Sequence, residues 1–338
     1  MKRAWFSILV LCICIMTGCQ KEETGDEAQV LVRAQAPSYS AEYITVGFIQ
    51  TGKESDWRDA NTNDFLNTFT EENGYNLIYI DGNSDSGRQI KAMNDLIRQK
   101  VDYIILDPIV ESGWTESLIA AEEAGIPVIV SDRMVNADAE LYTCWIGSDF
   151  ETEGHDAALW LETYLEKEGR SQENLNIVIL EGTEGASATI GRSAGLHAEI
   201  EKHSNWNVLT SRCGNFTQGE GKTVMEEILK EYQDIDVVIS ENDNMMFGAM
   251  KAMEEAGVSY GVNGDVITIS FDALYEAFGL MMEGKLMVSV ECNPLIAGLS
   301  HEVIQALEKG EEVEKVNYVE ESVFTYENAA TFIEDRQY

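Results

Sequence analysis

Asp132-Arg133 is the pair around which a site could be built. It closes the run Ile126-Pro127-Val128-Ile129-Val130-Ser131, which reads as a buried parallel strand: short, apolar, β-branched and entered through a proline. A carboxylate beside a guanidinium at the end of such a strand sets an acceptor next to a rigid fork of donors. Adjacent hydroxyls, each able to donate and accept, are a natural partner for that pair. Taken alone, Asp132 would serve as well as a helix cap and Arg133 as a surface ion pair. The elements that position them must decide.

From Tyr43 onward, strand and helix patterns alternate. Residues 44–50 read as a strand, and 57–72 carry Phe65, Leu66 and Phe69 at helical spacing. Strands at 77–80, 103–106 and 126–131 follow, separated by helices at 89–98, with Ile90, Met93 and Ile97 on one face, and at about 114–124. A second set has strands at 142–146, 177–180, 208–211, 237–240, 266–270 and 287–290, with helices between them and a last helix at 296–309. The two sets resemble each other in sequence. Ala121-Glu122-Glu123-Ala124-Gly125-Ile126 recurs 132 positions on as Met253-Glu254-Glu255-Ala256-Gly257-Val258. Asp102-Tyr103-Ile104 answers Asp236-Val237-Val238, Arg58 answers Arg192, and Ser131-Asp132 answers Phe271-Asp272. The expected fold is α/β, with two similar doubly wound parallel-sheet lobes.

Ligands of open parallel sheets sit outside the carboxyl ends of the strands. Standing there are Glu54, Trp57 and Arg58, then Asp107 and Asp132-Arg133; the second set supplies Arg192, Phe216, Asn242, Asp272 and Glu291. Planar bidentate groups and aromatic faces recur from both lobes. A sugar fits that recipe, because its ring offers paired hydroxyls at the edge and an apolar C–H face for stacking.

Composition narrows the alternatives. With 338 residues the chain is long enough for two domains, and a formal net charge of -37 repels nucleic acid and anionic membrane surfaces. The four histidines have no metal-ligand spacing, and no Gly-x-Ser-x-Gly or Cys/His arrangement appears, so neither an enzyme nor a cofactor is expected. Gly219-Glu220-Gly221-Lys222-Thr223 is like the end of a phosphate-binding loop, but Phe216 stands where that motif needs glycine.

At the N-terminus, Lys2-Arg3, an apolar stretch from Ala4 to Met16 and Met16-Thr17-Gly18-Cys19 read as a lipoprotein signal over 1–18, with Cys19 as the lipidated residue. Residues 19–42 read as an acidic flexible leash, reaching roughly 25 Å. Beyond Cys19 the cysteines are Cys144, Cys213 and Cys292, an odd number without CxxC spacing, for which buried free thiols are expected. Cys144 and Cys292 fall near each other only if the lobe crossings do, and a disulfide between them would stiffen a hinge.

The chain from Tyr43 to its end resembles bacterial periplasmic sugar-binding proteins of the ribose/galactose type, the galactofuranose binders most closely. The resemblance is carried by Val46-Gly47-Phe48-Ile49-Gln50 with Glu54-Ser55-Asp56-Trp57-Arg58, by Gln89-Ile90-Lys91-Ala92, Asp107-Pro108 and Asp132-Arg133, and by Glu181-Gly182-Thr183, Arg192, Phe216-Thr217, Asn242-Asp243, Asp272 and Ser289-Val290-Glu291. It implies a type I periplasmic binding protein with three hinge crossings, near residues 146–147, 291–293 and 321–323. The N-terminal lobe would be 43–146 plus 294–322, and the C-terminal lobe 147–293 plus 323–338. By the same resemblance Arg58, Asp132, Arg133, Arg192, Asn242 and Asp272 bind the sugar hydroxyls, Trp57 and Phe216 pack on its faces, and Glu54, Asp107 and Glu291 are further contacts. The implied role is a monomeric, membrane-tethered subunit that delivers a galactose- or galactofuranose-like monosaccharide to an ABC permease. Presentation of the ligand to a sensor kinase or chemoreceptor, or binding of another pentose or hexose, is the alternative. Ser240-Glu241 and Thr51-Gly52-Lys53 depart from the family pattern.

Overall fold

The computed structural model describes residues 43–338. The signal sequence, Cys19 and the leash lie outside the described residues. The strands are β1 (Ile44–Gln50), β2 (Tyr75–Asp81), β3 (Tyr103–Leu106), β4 (Val128–Ser131), β5 (Cys144–Gly147), β6 (Leu175–Glu181), β7 (Trp206–Cys213), β8 (Val237–Ser240), β9 (Ile267–Asp272), β10 (Val288–Glu291), β11 (Val316–Tyr318) and β12 (Val323–Thr325). The helices are α1 (Asp56–Thr68), α2 (Ser86–Gln99), α3 (Thr115–Ala124), α4 (Phe150–Lys167), α5 (Ser187–Ile200), α6 (Gln218–Glu231), α7 (Asp243–Ala256), α8 (Tyr275–Met282), α9 (Ala297–Glu308) and α10 (Ala329–Phe332).

Two six-stranded sheets result, in the orders β2-β1-β3-β4-β5-β11 and β7-β6-β8-β9-β10-β12. The orders correspond strand for strand, and every pairing is parallel except β10 with β12. Central strands such as β3, β4 and β8 are buried along their whole length, as strands covered by helices on both faces must be. Each sheet has an apolar cluster on both faces: Leu96, Leu106, Trp114 and Val130 against Phe48, Phe65, Ile105 and Ile304 in the first, and Ile177, Ile239 and Phe271 against Leu180, Met245 and Phe278 in the second.

The chain passes from one sheet to the other three times: at 148–149 between β5 and α4, at 292–296 between β10 and α9, and at 319–322 between β11 and β12. β11 and β12 are three-residue strands that the sequence reading omits. They carry no apolar run, and their pairing comes from lying beside β5 and β10. The buried face of α2 is Gln89, Ala92, Met93 and Leu96 rather than one centred on Ile90 and Ile97. Gln89 goes inside because its amide donates to the carbonyls of Gln50 (3.0 Å) and Asp107 (2.6 Å) and accepts from the Ile109 N–H (2.9 Å), tying β1 to β3. The cysteines among the described residues are free thiols; Cys144 and Cys292 are buried, but Cys213 is exposed, because it ends the edge strand β7.

Helices α4 and α5 approach each other over glycine. A Cβ on Gly154 would stand 2.2 Å from the Arg192 carbonyl oxygen, and one on Gly195 would stand 2.1 Å from that of Glu151. Neither backbone can yield without separating the helices. Gly154→Ala should therefore cost about 1–3 kcal/mol, as overpacking does, read as a lower urea midpoint at unchanged slope. An unchanged midpoint would mean that the helices part freely.

Candidate functional site

Residues that follow the carboxyl ends of strands in both sheets line one small, nearly closed cavity. Arg58, in the first turn of α1, is held by three carboxylates: Asp132 at 2.6 Å, Asp107 at 3.1 Å and Glu54 at 3.3 Å. Arg133 shares Glu54 and also donates to the Ile109 carbonyl at 3.3 Å. In the second sheet's lobe, Arg192 of α5 pairs with Glu153 of α4 at 2.6 Å, donates to the Glu241 carbonyl, and lies 3.7 Å from Asp272. Each guanidinium also faces an aromatic ring: Arg58 over Trp57 (4.5 Å), Arg133 over Phe216 (4.9 Å), and Arg192 over Phe271 (4.9 Å) and Phe150 (5.4 Å).

Local backbone sets these side chains. Asp132 (φ 56°) and Asp272 (φ 105°) occupy corresponding strand ends in left-handed conformations unusual for aspartate, a strain that persists only where the surroundings over-determine it. Asn215 and Phe216 are also left-handed, which turns the Phe216 ring over Gly182; a Cβ there would stand 1.9 Å from the ring. Trp57 projects from α1 into the apolar cluster of the other sheet, and its Nε1 donates to the Cys292 carbonyl at 2.6 Å. Arg58 Nε, Arg133 Nε and Asp272 Oδ2 are buried and find no hydrogen-bond partner among the described residues.

Two αβ sheets related strand for strand, three crossings and a cleft at their carboxyl ends define the architecture, and the sequence pattern of the periplasmic binding protein domain matches residues 46–312. The chain belongs to the periplasmic binding protein family. Its fold is the type I fold of that family. One similar curated member is the galactofuranose-binding protein YtfQ of Escherichia coli K12, 34% identical over 299 residues that span 87% of this chain and 92% of YtfQ. Among solved members, a Mycobacterium smegmatis protein in complex with β-D-fucofuranose superposes with a TM-score of 0.83 at 38% identity, covering 87% of this chain and 95% of that one. The binding component of the arabinose ABC transporter of Shewanella sp. ANA-3, bound to α- and β-L-arabinofuranose, gives 0.80 at 36% identity over the same shares.

Of the residues expected from sequence, Glu54, Trp57, Arg58, Asp132, Arg133, Arg192, Phe216, Asn242 and Asp272 line the cavity of this family member. Asp107 and Glu291 do not. Asp107 is fully buried behind Arg58 and acts on the cavity only through it. Glu291 turns to the hinge, where its carboxylate accepts from the Ser322 N–H (3.0 Å), Arg336 (2.6 Å) and the Tyr338 hydroxyl (2.7 Å). Asn242 lines the wall with both amide atoms already engaged, capping α7 at Met245 N (2.9 Å) and donating to the Phe216 carbonyl (3.0 Å). Sequence reasoning missed Ser55, Phe150, Ala188 and Cys292 in the lining and Glu153 behind it. Phe150 was legible: it follows the Asp149 cap directly after β5, the strand-end position that singled out Phe216. Of the two departures from the family pattern, Lys53 is exposed, while Glu241 is buried and accepts from Gly182 N (2.8 Å) and Ser193 Oγ (2.7 Å).

Burial dominates the acids here. It raises the carboxyls of Asp107, Asp272 and Glu153 despite the neighbouring guanidiniums, and pushes Glu241 up to about 8. For Arg58 and Arg192 burial disfavours the charge, but Asp132 and Glu153 respectively lead the attractions that hold both cations above the ordinary arginine value. At the hinge, Glu321 Oε1 accepts from Ser148 Oγ (2.6 Å) and Asn293 N (2.8 Å), joining all three crossings, and burial with Glu153 nearby raises it to about 9. A carboxyl raised from 4.5 to about 9 stabilises the fold fully below pH 4.5 and loses that contribution as pH rises to 9. Glu321→Gln should accordingly flatten the fall of unfolding free energy between pH 5 and 9, measured by urea titration. Parallel profiles for the two proteins would show that Glu321 ionises as an ordinary carboxylate.

Proposed function

We propose that this chain captures an uncharged monosaccharide in furanose form, galactofuranose or a close relative, and delivers it to an ABC importer from outside the cytoplasmic membrane. The observation that carries the reading is the mixed lining: the cavity wall presents three guanidiniums and three carboxylates, interleaved with aromatic faces and drawn from both sheets, with Asp107 and Glu153 paired to two of the guanidiniums behind it. A sugar's hydroxyls donate to the carboxylates and accept from the guanidiniums without bringing a further charge into a dry site, where an added charge is costly. The buried free atoms Arg58 Nε, Arg133 Nε and Asp272 Oδ2 offer two donors and an acceptor to such hydroxyls. The furanose preference rests on the relatives: YtfQ is named for galactofuranose, and the Shewanella and Mycobacterium structures hold arabinofuranose and fucofuranose.

On this reading the lobes 43–146 plus 294–322 and 147–293 plus 323–338 close as bodies on the sugar, with the nine lining residues predicted from sequence as its contacts. Closure gives the permease a shape to recognise. Lipid on Cys19 would keep the protein beside that permease, and a monomer suffices for the task.

Titration calorimetry of ligand-stripped protein with methyl β-D-galactofuranoside, D-galactose, L-arabinose, D-ribose and D-glucose tests the ligand class. The locked furanoside should bind at least tenfold more tightly than D-galactose, which is mostly pyranose in water; silence across all five sugars would overturn the reading. Arg133→Ala should weaken the bound sugar by about 2–5 kcal/mol, roughly 30-fold or more, because Glu54 then loses a buried partner. A loss below threefold would remove Arg133 from the contact set. Gly182→Ala, which touches no ligand, should also weaken binding by driving the Phe216 ring into the cavity.

A further inference from the structure

Above the cavity the two lobes are joined by a reciprocal pair whose side chains are absent from the cavity wall. Asp56, the first residue of α1, donates its backbone N–H to Asn244 Oδ1 at 3.1 Å, and Asn244, in the first turn of α7, donates Nδ2 to Asp56 Oδ2 at 2.7 Å. Asn244 is buried, with 5% exposure, while Asp56 stands on the outer rim. The helix N-terminus beneath Asn244 adds a favourable partial positive charge for the Asp56 carboxylate. Besides the contacts at the three crossings, hydrogen bonds also run between the lobes from Glu111 N to the Gly185 carbonyl (3.0 Å) and from Met134 N to Ser187 Oγ (2.7 Å). With these bonds made, Arg58, Asp132, Arg133, Arg192 and Asp272 are all at most 4% exposed, so a ligand enters or leaves only when the lobes part.

We propose that Asp56 and Asn244 form a latch that sets how long the closed cleft holds its ligand. The inference rests on the sugar-capture reading for its biological setting and on the interlobe geometry for its mechanism. Bonds made only in the closed state stabilise that state over the open one, and any ligand that binds the closed state better inherits the gain. Because neither residue lines the cavity, the gain falls on dissociation and leaves the encounter with the open cleft unchanged. Asp56 is adjacent to Trp57 and Arg58, and Asn244 is two residues from Asn242, so the latch closes over the residues that meet the ligand. Asp56 and Asn244 are thus positioning residues acting through closure.

The test is a double-mutant cycle of Asp56→Ala, Asn244→Ala and the pair together, with stopped-flow tryptophan fluorescence reporting binding and release of methyl β-D-galactofuranoside. Each single variant should release the sugar about 3- to 10-fold faster, the range expected for losing a net hydrogen bond or two, with association unchanged. The double variant should match Asn244→Ala alone, because Asn244→Ala removes both bonds while Asp56→Ala removes only the one to Oδ2 and leaves its backbone N–H in place. Unchanged release, or effects that simply add, would overturn the latch. A second readout needs no sugar: Asp56→Cys with Asn244→Cys, oxidised in ligand-free protein, should yield a cross-link between those two positions, mapped by tryptic digestion, and a smaller radius of gyration. Failure to cross-link overturns the latch even if sugars bind. A cross-link with no sugar bound from the calorimetric panel overturns the ligand assignment and keeps the latch.

Discussion

The constraint on which this molecule depends is that three guanidiniums are held almost dry. Taking such charges from water costs several kcal/mol each, and only close carboxylates with good geometry offset that cost. Arg58 is therefore ringed by Asp132, Asp107 and Glu54, and Arg192 by Glu153, the Glu241 carbonyl and Asp272. The demand propagates outward. Asp132 and Asp272 must adopt left-handed backbone to aim their carboxylates back over the sheet, and Gln89 must be buried to hold the ends of β1 and β3 together. Much of the polar interior is scaffolding for charge.

Both lobes solve the problem with the same parts. Arg58 and Arg192 each ride the helix after the first strand of their sheet, Asp107 and Glu241 each follow the third strand as buried acids, and Asp132 and Asp272 each sit at the end of the fourth. The turn after the second strand repeats as well. Gly82-Asn83-Ser84-Asp85 and Gly214-Asn215-Phe216-Thr217 each place two residues in left-handed backbone, and each ends in the N-cap of the next helix. In one lobe that turn presents Ser84, in the other Phe216. The asymmetry stacks an aromatic ring of one lobe on the Arg133 guanidinium of the other.

This repeat also explains what could be read from the sequence. Alternating strand and helix patterns located ten of the twelve strands, because buried parallel strands are continuous apolar runs. β11 and β12 escaped because three residues at a sheet edge need no apolar pattern, only a neighbour to pair with. The position rule for strand ends found most of the cavity wall, and it erred where orientation decides. Glu291 ends β10 as Asp272 ends β9, yet its side chain turns toward Arg336 and Tyr338 from the far end of the chain. Sequence position fixes which residues stand at a strand end, whereas the side a carboxylate faces depends on partners dozens of residues away, Ser322, Arg336 and Tyr338 for Glu291. Glu153 was invisible for the same reason, lying in the first turn of α4 with only its contact to Arg192 to mark it.

The hinge and the cleft share atoms, which ties closure to occupancy. Cys292 lines the cavity, its carbonyl accepts from Trp57 Nε1, and its Sγ lies 3.3 Å from Ser148 Oγ, which in turn donates to Glu321. Trp57 belongs to one lobe's helix but packs in the other lobe's apolar cluster, so it cannot keep that packing if the lobes separate widely. A ligand stacked against Trp57 would therefore press on the second crossing directly, and the Ser148–Glu321–Asn293 knot would share the load with the other two. Bending at three crossings that are hydrogen-bonded to one another is a concerted motion.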